Sequence, residues 1–290
     1  MIENKTFCVI GSDARLKRIV TKLTSSECTV YALGMKDFVY VSEYLKIDSL
    51  KNALEKSDVV ILPLPLSKDD EYLNCDEIIS LDEVFEHLTS KKQVFAGKVS
   101  EKVKAKAKKY NITINDYLTR EEMAVENAVP TAEGAVEIAM RETTKTIFGT
   151  NYLVTGYGKT AKVLSNLLKS MGAKVDITAR KYSDLSVANV NGCGSFHISK
   201  LQELAKNYEV IFNTVPSLII TEEILKTLKN TIIIDLASLP GGVDFKSAEK
   251  LGVKTIHALS LPSKVAPDTA GDIILKTVKN MIKEGSEMNG

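Results

Sequence analysis

The hydrophobic positions fall into short continuous runs separated by stretches with helical spacing. Residues 7–11 read as an apolar strand, 14–23 as a helix and 29–33 as a second strand. Further strands are expected at 58–62, 93–96 and 113–115, with helices around 50–56, 81–88 and 100–109. Runs that stay apolar belong in strands buried on both faces, so the alternation of strand and helix predicts a covered parallel sheet. A helix over 131–144 follows, entered through Pro130 and rich in small residues. A second series then places strands at 152–155, 174–178, 210–213, 231–235 and 254–257. In residues 269–283, Ile273, Ile274, Val278, Met281 and Ile282 recur at helical spacing, predicting a final helix that packs back on the first domain. The expected architecture is α/β, with two doubly wound, Rossmann-like parallel-sheet domains joined by long helices around an inter-domain cleft. Residues 1–128 are expected to form the first domain and 129–268 the second, with 269–290 returning to the first.

A length of 290 residues accommodates two such domains, and 44% hydrophobic with 26% charged residues is ordinary for a globular chain. The net charge of +1 gives no field that favours nucleic acid or an anionic membrane. The Lys-rich segment 98–109 reads as the solvated face of a helix. Cys8, Cys28, Cys75 and Cys193 are far apart and show neither disulfide-framework nor metal-ligand spacing, so no metal is expected. No run approaches a membrane span and the N-terminus lacks a signal-peptide pattern, so a cytoplasmic protein without membrane contact is expected.

The chemistry concentrates in the second domain. An apolar strand runs into Gly156-Tyr157-Gly158-Lys159-Thr160-Ala161, a GxGxxA loop, and then into a helix carrying Leu164, Leu167, Leu168 and Met171. That layout seats a dinucleotide pyrophosphate on a helix N-terminus, with Gly156, Gly158, Lys159 and Thr160 around it. The next strand ends in Arg180-Lys181, where an NAD site places an acid for the ribose 2′-hydroxyl. Cations there suit the 2′-phosphate of NADP, so NADP is expected, with NAD the alternative. Ligands of such sheets sit beyond the carboxyl ends of the strands, which adds Thr214, Pro216, Ser217, Ala237, Ser238 and Val265 to the cofactor-binding candidates. Thr214 and Ser238 serve equally well as helix caps.

In the first domain, Ser12 and Asp13 open a helix with Arg15 one turn in. They read either as an ordinary N-cap or, with Arg15, as a holder of a substrate carboxylate. Pro65, Lys98, Asn127 and Thr131 lie at other loops expected to face the cleft. Asp13, Lys98 and Glu133 are the candidates for proton transfer. The histidines, His87, His197 and His257, do not form the set of a 2-hydroxy-acid dehydrogenase, and no Ser-centred nucleophile elbow is present.

With both halves laid out, the chain resembles the dipicolinate synthase A-subunit family along nearly its whole length. The resemblance rests on Val9-Ile10-Gly11-Ser12-Asp13-Ala14-Arg15, on Pro130-Thr131-Ala132-Glu133-Gly134 and on the GxGxxA loop. It continues through Asn213-Thr214-Val215-Pro216-Ser217, the DLASLPGGVDF stretch at 235–245 and Val265-Ala266-Pro267-Asp268-Thr269-Ala270-Gly271. The family pattern carries glycine where this chain has Ala161, Ser260 and Ser263. The resemblance implies oxidation of dihydrodipicolinate, or its 4-hydroxylated tetrahydro precursor, to dipicolinate for spore formation. It also implies an oligomer with a flavoprotein-like B subunit, and a dicarboxylate substrate needing two anchors. Two other readings are a dehydrogenase of the shikimate or methylene-tetrahydrofolate type and a non-catalytic, nucleotide-binding regulatory protein.

Overall fold

In the computed structural model, which describes residues 5–287, the chain forms two compact units. One runs to Ala124 and resumes at Pro267; the other is Val125–Ala266. These divisions lie slightly before the sequence-based limits at 128 and 268. Met123 packs in the first unit's core while Ala132 packs in the second's.

The first unit is built in the order β1 (Phe7–Ile10), α1 (Ala14–Thr24), β2 (Val30–Leu33), β3 (Leu45–Lys46), α2 (Leu50–Lys56) and β4 (Val59–Ile61). It continues with α3 (Leu81–Glu86), β5 (Gln93–Ala96), α4 (Glu101–Lys109), β6 (Ile114–Asp116) and α5 (Glu121–Glu126). In the second unit α6 (Ala128–Glu142) precedes β7 (Asn151–Thr155), α7 (Lys159–Ser170), β8 (Lys174–Ala179), α8 (Tyr182–Val190), β9 (Gly194–His197) and α9 (Leu201–Leu204). There follow β10 (Val210–Asn213), α10 (Glu222–Leu225), β11 (Ile232–Asp235), α11 (Phe245–Leu251), β12 (Thr255–His257) and α12 (Leu261–Val265). The last helix, α13 (Pro267–Glu287), belongs to the first unit.

Both sheets are six-stranded and parallel, ordered β3-β2-β1-β4-β5-β6 and β12-β11-β10-β7-β8-β9. Each is the doubly wound order that reverses beside its first strand, β1 or β7, where such sheets hold ligands. The edge strands β3 and β9 escape the hydrophobic pattern. Leu45–Lys46 is two residues long and Gly194–His197 has no buried position, because an edge strand needs no apolar run on both faces.

The central strands β1, β4, β10 and β11 are buried at every position, as their composition requires. On one face of the first sheet, Phe7, Val9, Val59, Ile61 and Phe95 pack with Leu16, Ile19, Val20 and Leu23 of α1 and with Ile273, Ile274 and Val278 of α13. Cys8, Ile10, Val60 and Val94 face the opposite cluster, with residues of α2, α3 and α4. Each such side chain contributes about 1.5–3 kcal/mol by burial. Helices α1 and α13 touch closely: a Cβ on Gly271 would lie 2.6 Å from the Arg15 carbonyl oxygen. Arg18 on α1 donates to both carboxylate oxygens of Asp272 on α13, each at 3.0 Å. In the second sheet Tyr152, Val154, Ile177, Phe212 and Ile234 face α6 and α7, while Leu153, Ile211 and Ile233 face the other layer. Among the described residues no helix is long and apolar enough to cross a membrane.

Candidate functional site

The turn after β7 leads from the sheet into α7. Gly156 adopts φ +84°, a left-handed conformation that favours glycine, and its N–H donates to the Thr178 carbonyl at 2.7 Å. Gly158 is the N-cap of α7 and supplies no side chain to its first-turn N–H groups. A Cβ placed on Gly158 would meet nothing within 4 Å. The positive end of a twelve-residue helix, with uncapped N–H groups and clear space before it, fits a pyrophosphate. Lys159 and Thr160 occupy the first turn, and Ala161 is fully buried in the core cluster.

Beside this turn is a cavity of about 510 Å³ bounded by Gly156, Tyr157, the end of β8, Ile198 and the loop after β10. Arg180 and Lys181 line it and are exposed; neither makes an ion pair among the described residues. Asp184, in the first turn of α8, is the one carboxylate of the lining, so the cavity carries a net positive charge. Tyr182 stacks on His197 at 5.5 Å alongside. Pro216 and Ser217 form part of the opposite wall.

Other expected cofactor contacts are placed differently. Thr214 does not line this cavity: its hydroxyl donates to the Thr155 carbonyl at 2.7 Å and braces the Gly156 turn from behind. Ala237 is buried and gives its N–H to Asp235, while Ser238 is exposed in the turn that Gly241 closes. Val265 packs α12 onto α6, 3.1 Å from where a Cβ on Gly134 would be. Ser260 sits at φ +59°, which explains a family glycine at that position. Sequence reasoning missed Thr155, Asn213 and Asp235, adjacent across β7, β10 and β11 and all buried. Their signal was a single polar residue ending each of three otherwise apolar runs.

In the first unit, the N-terminus of α1 is already filled. Asp13 accepts from the Arg15 N–H at 2.8 Å, and the Arg15 guanidinium pairs with the same carboxylate. Arg15 also donates to the Leu64 carbonyl at 2.7 Å, just before the cis Leu64–Pro65 peptide. Arg15, expected to meet a substrate carboxylate, is therefore engaged first by the protein's own. Ser12 is half-buried beside this pair. Lys98, after β5, stands at φ +56° with its side chain exposed. Asp116 fixes that turn by accepting from the N–H groups of Lys98, Val99 and Leu118 at 2.9–3.1 Å. Behind it Tyr117 is fully buried and donates to the Leu62 carbonyl; burial pushes its phenol above the ordinary range.

Asn127 and Thr131 fall in the second unit, at the start of α6. Thr131 is spent on the Asn127 carbonyl, at 2.7 Å, and the Asn127 Oδ1 is buried without a hydrogen-bond partner. Glu133, on the first turns of α6, borders a groove with Val136, Glu137, Met140, Arg141, Leu167 and Met171, apart from the cavity beside Gly156.

Comparisons with known proteins match the two halves of the chain to different family models, the second of which runs on into α13. Residues 6–118 match the family model of the dipicolinate synthase A-subunit N-terminal domain, and residues 127–278 that of the S-adenosyl-L-homocysteine hydrolase NAD binding domain. The dipicolinate synthase A subunit of Bacillus subtilis (strain 168) is 30% identical over 293 residues, covering 98% of each chain. The crystal structure of the dipicolinate synthase A subunit from Bacillus halodurans superposes with a TM-score of 0.89 at 30% identity, over 97% of this chain and 98% of that one. A transhydrogenase from Sinorhizobium meliloti, at 15% identity and a TM-score of 0.72 over 97% and 94% of the chains, shares the fold.

Proposed function

The chain belongs to the dipicolinate synthase A-subunit family, and from that premise we propose that it oxidises a cyclic dicarboxylate to aromatic dipicolinate with NADP. The substrate is dihydrodipicolinate or its 4-hydroxylated tetrahydro precursor, the setting is spore formation in the cytoplasm, and the partner is a flavoprotein-like B subunit. The observation that carries the cofactor is the uncapped N-terminus of α7 beside the cavity lined by Arg180 and Lys181.

When bound, the nicotinamide supplies the hydride acceptor for a two-electron oxidation. The first-turn N–H groups of α7 hold the pyrophosphate, and Arg180 with Lys181 pair with the 2′-phosphate. In the first unit, Lys98 and Ser12 anchor the substrate carboxylates, with Pro65 shaping the loop; Arg15 acts through Asp13, which it orients. Dihydrodipicolinate loses one hydride and one ring proton on aromatisation. Asp13, a partly exposed carboxylate in the same strand-end loops, accepts that proton. The hydroxylated precursor loses water as well.

Titration of NADP and NAD against wild type and Arg180→Ala tests the reading. Wild type should prefer NADP, and the substitution should weaken NADP about tenfold while leaving NAD unchanged, the loss of one charge-assisted pair. An unchanged ratio would remove the basis for NADP. Asp184 would then be the partner of a free ribose hydroxyl.

A further inference from the structure

Asp235 ends β11 fully buried and touches no part of the cavity, yet both of its carboxylate oxygens are occupied. Oδ1 accepts from Asn213 Nδ2 at 2.7 Å and from the Ala237 N–H at 3.0 Å; Oδ2 accepts from the Gly242 N–H at 2.8 Å. We infer that Asp235 is a positioning residue for the dinucleotide site, clamping at both ends the wall formed by residues 215–219. This role rests on the reading of that cavity as the dinucleotide site.

At the near end of the wall the clamp works through Asn213. Its Oδ1 accepts from the Thr155 hydroxyl at 2.6 Å and from the Val215 N–H at 3.1 Å. Its Nδ2 donates to Asp235 and, at 3.0 Å, to the Val215 carbonyl. Both polar backbone groups of Val215 are therefore held by one amide, and Asp235, as an acceptor, dictates which way that amide points. At the far end the clamp works through Gly242. Its N–H goes to Asp235, and its carbonyl accepts from the N–H groups of Ile219 and Ile220 at 3.0 and 2.9 Å. Val215 and Ile219, the two limits of the wall, both line the cavity.

Gly242 also lies directly beneath the wall. A Cβ there would fall 2.3 Å from Asn213 Nδ2, 2.5 Å from the Val215 carbonyl oxygen and 3.0 Å from that of Ser217. Two of these three atoms are backbone, so an added methyl has to displace the wall itself. The DLASLPGG stretch thus folds back on its own aspartate and shapes the cavity from behind, with none of its residues in the cavity lining.

The test uses the full chain and three variants, Gly242→Ala, Asp235→Asn and the milder Thr155→Val, each checked for folding by circular dichroism. Hydrogen exchange without ligand reads the wall, and NADPH titration well below the melting transition reads the site. Exchange at the Ile219 and Ile220 amides should quicken about tenfold in Gly242→Ala and Asp235→Asn, and NADPH affinity should fall about tenfold, less in Thr155→Val. A merely structural role would lower the melting temperature and leave the affinity of the folded protein unchanged, which overturns the inference. If Gly242→Ala and Asp235→Asn fail to fold, an unchanged affinity and exchange rate in Thr155→Val overturns it as well. Wild type that binds neither NADPH nor NADH overturns the dinucleotide reading, and this inference falls with it; wild type that binds beside unaffected variants overturns the inference alone.

Discussion

Each sheet is followed, after its first strand, by a helix N-terminus, and one residue at each decides what that terminus can hold. At α1 the N-cap is Asp13, whose carboxylate caps the helix and meets Arg15. At α7 it is Gly158, which brings no side chain and leaves the terminus open to an outside anion. Two helix ends in the same topological position therefore do opposite things. Lys98 is one of six described residues other than glycine, Ser260 among them, that adopt a positive φ. Its left-handed conformation is disfavoured for a residue with a Cβ, so Lys98→Gly should raise stability by about 0.5–1 kcal/mol in urea denaturation. The same change should cost substrate affinity if its ammonium is an anchor, a trade visible as a higher Tm with a higher KM. The thiols separate just as plainly. Cys8, Cys28 and Cys193 are buried, and burial pushes the Cys8 thiol up to about 12, while Cys75 is only partly covered. Iodoacetamide should therefore modify Cys75 first in the native protein and all four only after denaturation.

At the scale of elements, the contact between α1 and α13 makes a pH-dependent prediction. Hydrogen bonding from Arg18 holds the Asp272 carboxyl below its ordinary range. A depressed folded pKa contributes stability that is fully present above the unfolded value, about 4, and is lost as the pH falls through the lower folded value. The Asp272 side chain is 41% exposed, so solvent screening limits the pair to about 0.5 kcal/mol. Asp272→Asn should lower stability by that amount at neutral pH, and the difference should disappear in acid. These elements also show what the sequence could and could not convey. The buried strands β1, β4, β7, β10 and β11 were legible because continuous apolar runs have few other uses, β8 because it follows the GxGxxA loop and its helix, and α13 because its apolar stripe is unbroken. The edge strands β3 and β9 were not legible, since pairing on one side leaves their side chains free to be polar, whereas the edge strands β6 and β12 kept enough of the apolar pattern to be read. The open turn at Gly158 was readable from its motif; the filled one at Asp13 was not, because nothing in Ser12-Asp13 says whose carboxylate will take the helix end. Asp235 escaped for the same reason: its partners are backbone groups of a loop whose return path no local pattern specifies.

At the scale of the molecule, the second unit is one continuous segment, whereas the first is assembled from both ends of the chain. Residues 125–266 contain a complete sheet with its two apolar layers, so that segment expressed alone should fold cooperatively and keep its dinucleotide affinity. Residues 1–124 alone should not, because Leu16, Ile19, Val20 and Leu23 share their cluster with Ile273, Ile274, Val278 and Ile282 of α13. Addition of a peptide spanning 267–287 should restore a cooperative melt, and its failure to do so would show that α13 is dispensable. The late arrival of α13 carries a consequence for synthesis. As the chain leaves the ribosome, the part that begins first is the part completed last, and the apolar face of α1 stays uncovered through translation of the whole inserted unit. A product arrested anywhere before Pro267 would pair a finished nucleotide module with an unfinished neighbour, marking it for chaperones and proteases rather than for assembly.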